Sequence, residues 1–156
     1  MTPFKHLIEQ IEQEQHVSSI LPIKRLQRIV ELIHAHYPRH QWTGIYLLKD
    51  NYLELGPFVG AATEHRRIAI GQGLCGQAVA QKQDLDIADV LSAPGYLACS
   101  LSTRAEAIVL IYHQHCIVGQ IDVDSDTPGK FGNDYMQELK IIADTISALV
   151  AECSKK

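Results

Sequence analysis

The chain predicts an α+β domain: a mostly antiparallel sheet with the N- and C-terminal helices packed on one face and loops on the other. Two observations carry this. Apolar residues recur at helical spacing near both ends of the chain, and between them short apolar runs are separated by turn residues at hairpin distances. At 156 residues, with no low-complexity segment, repeat or linker, the chain reads as one domain spanning 1–156 and large enough to bury its own core.

Phe4, Leu7, Ile8 and Ile11 make the first helical stripe. Leu26, Ile29, Val30 and Ile33 make the second, which should stop before Pro38. Together they predict N-terminal helices over about 4–37. The pattern then changes. The run from Trp42 to Leu48 reads as a strand, Lys49-Asp50-Asn51 as a turn, and Tyr52 to Leu55 as the return strand. Arg67 to Ile70 is a shorter strand, broken by Gly71-Gln72-Gly73, and Leu74 to Gln81 a short helix with Cys75 in its first turn. Leu85-Asp86-Ile87 is a further strand, closed by Asp89. Residues 91–105 are rich in Ser, Pro and Gly and read as a long loop containing Cys99, of a length that often carries function. Ala107 to Tyr112 and Cys116 to Asp124 form a second hairpin about His113-Gln114-His115. The sheet and its loops thus occupy about 41–125. Asn133 is expected to cap a last helix over about 133–152, with Met136, Leu139, Ile142, Ala143, Ile146 and Leu149 on its inner face.

Composition excludes several classes of function. Hydrophobic residues are 46% and charged residues 21%, ordinary for a soluble globular protein. The net charge of -4 leaves no basic footprint for nucleic acid and no polybasic patch for a membrane. No run is long enough to span a bilayer, and the first residues do not lead into a signal peptide. The expected location is cytoplasmic, with the four cysteines (Cys75, Cys99, Cys116, Cys153) reduced at rest.

Five of the remaining polar groups could carry chemistry. Asp122 and Asp124 sit two apart on a strand and so share a face, with Ile121 and Val123 turned the other way to the core. Two neighbouring anions are stabilised by a cation, and an ammonium group is a natural one. Glu106 leads into an apolar strand, where a carboxyl should hold its proton more tightly and be able to donate it. Cys75, at a helix start, should have an acidified thiol. Cys99 lies where backbone amides could do the same. Taken singly, each is more simply a solvated strand end, a loop glutamate or an inert thiol. Cys116 reads as a packing residue and Cys153 as part of an exposed tail. His113, His115 and Cys116 could hold a metal, but a polar turn is the simpler reading, and no metal is expected. Gly71-Gln72-Gly73 lacks the Gly-Lys-Ser/Thr of a phosphate loop, so no nucleotide cofactor is expected.

As an ordered set, Trp42-Thr-Gly-Ile-Tyr46, Leu55-Gly-Pro-Phe-Val-Gly60, Gly71-Gln-Gly-Leu-Cys-Gly76, Asp89-Val90, Pro94-Gly-Tyr-Leu-Ala-Cys99, Glu106 and Asp122-Val-Asp-Ser125 resemble the free methionine-(R)-sulfoxide reductases, single-domain enzymes with a GAF fold. The resemblance runs from about Trp42 to the last helix. It implies that Cys99 attacks the sulfoxide sulfur. Glu106, Asp122 and Asp124 would hold the free amino acid and assist departure of the oxygen, and Trp42 and Tyr46 would wall the pocket. It further implies a sulfenic acid on Cys99, a Cys75–Cys99 disulfide and recycling by thioredoxin, linked to NADPH, with no bound cofactor.

The sequence departs from the family pattern at three places. His65 stands where many members carry a third, resolving cysteine, so either Cys75 takes over that role, as in two-cysteine members of the family, or the reaction is poorly recycled. Leu91 and Tyr96 stand where the family tends to have histidine. The alternative function is a non-catalytic small-molecule or amino-acid sensor on the same fold. A weaker alternative is a homodimer built on the apolar stripe of the last helix.

Overall fold

The computed structural model describes residues 1–94 and 102–155. Two N-terminal helices, α1 (Pro3–Gln15) and α2 (Pro22–His36), lead into strands β1 (Trp42–Lys49), β2 (Tyr52–Val59) and β3 (Arg67–Ala69). Helix α3 (Gly73–Gln81), strand β4 (Leu85–Ile87) and a 3-10 turn at Val90–Ser92 follow. Strands β5 (Ala105–His113) and β6 (Cys116–Ser125) and the long helix α4 (Asn133–Ser154) complete the chain. The six strands form one sheet in the order β3-β2-β1-β6-β5-β4, with every pairing antiparallel.

Strand alternation divides the sheet into two apolar faces. Ile45, Leu47, Ala107, Val109, Ile111, Ile121 and Val123 meet Leu7, Ile11, Leu26, Ile29, Val30, Ile33 and the inner stripe of α4 in one core. The terminal helices therefore pack on one face, as the sequence predicts. On the other face Trp42, Tyr46, Leu53, Ile108 and Leu110 pack with Leu74, Cys75, Ala78 and Val79 of α3 and with Val90. Burying one Ile of either core contributes on the order of 2 kcal/mol.

Four expectations are corrected. Strand β2 continues past Leu55 to Val59, through Pro57. The ladder to β1 slips between Gly44 and Tyr46, so Pro57 falls at the irregularity, and β3 pairs only with Tyr52 to Glu54. The missing N–H therefore leaves no regular ladder bond broken. The cap of α4 is Gly132 and not Asn133. Asp86 of β4 accepts from Phe131 N–H at 2.9 Å and Gly132 N–H at 3.0 Å, which fixes the entry to the helix in place of a side-chain cap. Cys153 is buried, because α4 runs to Ser154 and carries it four positions beyond Leu149 into the helix-side core. Cys116, at the tip of the second hairpin, is exposed. No helix among the described residues is long and apolar enough to cross a membrane.

Candidate functional site

Cross-strand register assembles the site on the sheet face away from the terminal helices. One row across the sheet reads Trp42, Asp124, Glu106, Ile87, and the next reads Gly44, Asp122, Ile108, Leu85. A third row places Tyr46 beside Gln120 and Leu110. Asp122 and Asp124 thus share a face with Glu106, as alternation predicts for the two aspartates. Glu106 lies within β5 and not at a loop end. All three carboxylates are buried, Asp122 and Asp124 at 0% exposure and Glu106 at 2%.

Helix α3 lowers Cys75 onto this row of acids. Gly76, next to Cys75, permits the close approach: a Cβ there would lie 2.4 Å from the carbonyl oxygen of Ala69. Cys75 is buried, and its sulfur and single carboxylate oxygens of Glu106 and Asp122 lie within 4.8 Å of one another. Gln120, also fully buried, donates from Nε2 to the carbonyl oxygen of Cys75 at 3.1 Å and ties the helix to β6. Its role was not read from the sequence, although Gln120 continues the Asp122/Asp124 alternation and that signal could have found it.

Burial pushes the Asp122 carboxyl above the usual carboxylate range, with the Glu106 and Cys75 side chains beside it pulling the other way. No lysine or arginine among the described residues pairs with Asp122. A small molecule carrying an ammonium would supply a cation, and the acid and the thiol stand beside it.

Trp42 and Tyr46 are fully buried on this face, 6.4 Å apart between ring centroids. The Trp42 indole also stacks on Phe58 and fills the space beside Gly44, where a Cβ would meet its ring at 2.3 Å. Trp42 Nε1 donates to the Ala61 carbonyl oxygen at 3.0 Å, and Tyr46 Oη to the His65 carbonyl oxygen at 2.8 Å. The two aromatic residues thus pin the segment that carries His65. A cleft of about 550 Å³ adjoins the site through Leu74 and Ile87 and is also lined by Asp89 and Pro94.

Beyond this cleft, Asp89 and Arg104 join the two ends of the segment between β4 and β5. Arg104 donates to both Asp89 oxygens, at 3.4 and 2.9 Å, and its main chain accepts from Val90 N–H and donates to the Ser125 carbonyl oxygen. The Arg104 guanidinium holds the Asp89 carboxyl below its ordinary range. Cys99 and Tyr96 lie outside the described residues. Leu91 is 72% exposed on the 3-10 turn. His115 and Cys116 are exposed, and the metal-capable group among the described residues is Cys75, Glu106 and Asp122.

The GAF domain family model matches residues 22–150. The free methionine-R-sulfoxide reductase of Escherichia coli (strain K12) is 35% identical over 115 residues, 74% of this chain and 69% of that protein. The type II free methionine-R-sulfoxide reductase from Thermoplasma acidophilum superposes with a TM-score of 0.81 at 36% identity, covering 84% of this chain and 93% of that one. The free methionine-R-sulfoxide reductase from Neisseria meningitidis, solved in complex with its substrate, gives 0.86 at 26% identity, over 97% of this chain and 90% of that one. With a buried thiol and acid row on a single six-stranded α+β domain, the chain belongs to the GAF-domain free methionine-R-sulfoxide reductases, a family of oxidoreductases.

Proposed function

We propose that the protein reduces free L-methionine-(R)-sulfoxide to methionine, using Cys99 as nucleophile and Cys75 as resolving thiol. The observation that carries this reading is the convergence of the Cys75 sulfur with carboxylate oxygens of Glu106 and Asp122 inside 4.8 Å, beside the buried Asp124. Buried acids of this kind favour an ammonium group. A methionine within a peptide has no such charge, so the acid row selects the free amino acid. Trp42 and Tyr46 supply an apolar wall for the side chain.

In the reaction, the Cys99 thiolate attacks the sulfoxide sulfur. Oxygen is a poor leaving group until protonated, and Glu106 donates that proton. The substrate S–O bond breaks and the protonated oxygen ends as hydroxyl on the Cys99 sulfur, with no bond left between Cys99 and the substrate. The products are methionine and a sulfenic acid on Cys99, so the sulfoxide gains two electrons and the thiol loses them. The Cys75 thiol then displaces water from the sulfenic acid and forms the Cys75–Cys99 disulfide. A dithiol of the thioredoxin type reduces the disulfide and is itself oxidised, with NADPH as the final donor. His65 leaves Cys75 as the resolving residue.

NADPH oxidation in the presence of thioredoxin and its reductase tests the reading. Activity is expected with the free R sulfoxide, and little with the free S sulfoxide or a peptide sulfoxide. Failure of the free R sulfoxide to exceed a Cys99→Ser control would sink the proposal. A rise in melting temperature with the sulfoxide, unaccompanied by thiol loss, would instead favour a sensor.

A further inference from the structure

We propose that Cys75, Glu106 and Asp122 form a binding site for a thiophilic divalent cation of the Zn²⁺ type, which takes the place of the substrate's ammonium group and blocks turnover. The ion binding stands on the geometry alone. The block rests on the reaction proposed above.

The donor set is a thiol and two carboxylates, all buried, with one atom from each inside 4.8 Å. Zn²⁺ accepts this combination, with sulfur at about 2.3 Å and carboxylate oxygen at about 2.0–2.2 Å. A contraction of the cluster by roughly an ångström brings all three to bonding distance. Three protein ligands leave a fourth position open. The thiol distinguishes this site from an ordinary acid cluster, because a soft sulfur ligand favours Zn²⁺ and Cd²⁺ over Mg²⁺ and Ca²⁺.

Two further observations point to a cation. Both oxygens of Asp122 are sealed from solvent, and among the described residues no amide, hydroxyl or ammonium donor reaches them. The neighbours of this carboxylate are the thiol and the carboxyl of Cys75 and Glu106, whose protons a metal displaces. Independently, Gln120 Oε1 is buried with no donor among the described residues, while Nε2 of the same amide is held on the Cys75 carbonyl oxygen. That bond fixes the amide against the main chain of Cys75 and leaves its carbonyl oxygen as a second buried acceptor on β6, two positions from Asp122.

Binding involves no electron transfer. The ion forms bonds to Cys75 Sγ and to one oxygen each of Glu106 and Asp122. The thiol proton, and any proton held by the carboxyl pair, pass to solvent, so affinity rises with pH. A metal-bound Cys75 cannot attack a sulfenic acid, and an ion on Asp122 removes the ammonium site. Occupation by metal and turnover exclude each other.

The test is a titration of reduced, chelator-treated protein with Cd²⁺, in a Cys116→Ser background that removes the exposed thiol. The thiolate-to-cadmium absorption band is the readout, with Zn²⁺ binding measured by equilibrium dialysis. The expected result is a Cys75-dependent component of the band that vanishes in Cys75→Ser. Asp122→Asn and Glu106→Gln should each weaken it by about 10- to 100-fold or more. In protein that also carries Cys99→Ser, where the sulfoxide is not consumed, free methionine sulfoxide should raise the apparent dissociation constant of the ion. A band of equal size and affinity in Cys75→Ser, or unchanged affinity in both carboxylate variants, overturns the site. If Cys75→Ser does not fold by circular dichroism, the two carboxylate variants decide. Turnover without a Cys75-dependent band overturns the metal site alone. A band without turnover overturns the reading of the reaction alone.

Discussion

Glu106 on β5 and Asp124 on β6 stand directly opposite each other in the antiparallel ladder, and both are shut off from solvent. Like charges in that arrangement are unfavourable, and Asp122 adds a third acid to the same face. Such a row is tolerable where protons or a bound cation offset it. Asp122→Asn is therefore expected to weaken binding of the free sulfoxide by at least about 30-fold, the loss of one buried charge pair. Calorimetric titration of the Cys99→Ser protein with substrate checks this, because the ligand is then not consumed.

The same residue sets a pH dependence. The Asp122 carboxyl is pushed up in the folded protein by burial, so between the ordinary carboxylate value and the raised one the folded state holds more protons than the unfolded state. Stability falls as pH rises through that window. Asp122→Asn should remove this slope and raise the melting temperature at neutral pH while impairing binding. A melting temperature that drops at neutral pH would contradict the assignment of Asp122 as a functional cost.

His40 acts in the opposite direction on the other side of β1. It is buried, with Nδ1 2.8 Å from Thr43 Oγ1 and Nε2 in contact with Tyr135 Oη. Burial first, then the charges of His34, His36 and Arg39, lower its pKa from 6.5 to about 3. The unfolded chain takes up a proton there that the folded one refuses, so stability is lost as pH falls from the ordinary histidine value towards 3. The loss amounts to roughly 4 kcal/mol at the bottom of the range. Denaturation in urea at several pH values should show the slope, and His40→Asn should flatten it.

On the proposed reaction, Arg104 acts as a positioning residue through its contacts at the two described ends of the segment between β4 and β5. Its side chain and main chain join Asp89, Val90 and Ser125, so the anchor of that segment is continuous with the strand that carries Asp124. Arg104→Leu is expected to lower kcat by up to about 100-fold, as misplacement of a reacting group does. Substrate affinity, which the proposed reading assigns to the acid row, should change much less. An equal loss in kcat and affinity would place Arg104 in the binding site itself.

Trp42 depends on Gly44. The indole occupies the space a Cβ at Gly44 would need, and its Nε1 holds the Ala61 carbonyl oxygen. Gly44→Ala should therefore displace the ring from the site. Tryptophan fluorescence reports the change cleanly, because the chain has a single tryptophan.

The helical stripes, both hairpins and the shared face of Asp122 and Asp124 were legible because each follows from a local period. Glu106 was legible as a residue but not as a buried one, since its burial comes from pairing with β4 and β6. The continuation of β2 through Pro57 was hidden by a residue that normally ends a strand, and depends on where the β1 ladder slips. Cys116 and Cys153 exchanged environments for a similar reason. The length of α4 and the position of the hairpin tip are set by packing, and local sequence does not encode them. Gln120 continues the alternation of Asp122 and Asp124, but its part in the site depends on the Cys75 carbonyl that α3 brings to it, which local sequence does not encode.

The most direct test of the central claim is the mass of the reduced protein after anaerobic exposure to free methionine-(R)-sulfoxide, before any reductant is added. The expected result is the loss of two hydrogens, with a disulfide peptide joining Cys75 to Cys99, and a trappable sulfenic acid on Cys99 in Cys75→Ser. An unchanged mass, or a disulfide that forms equally well without Cys75, would contradict it.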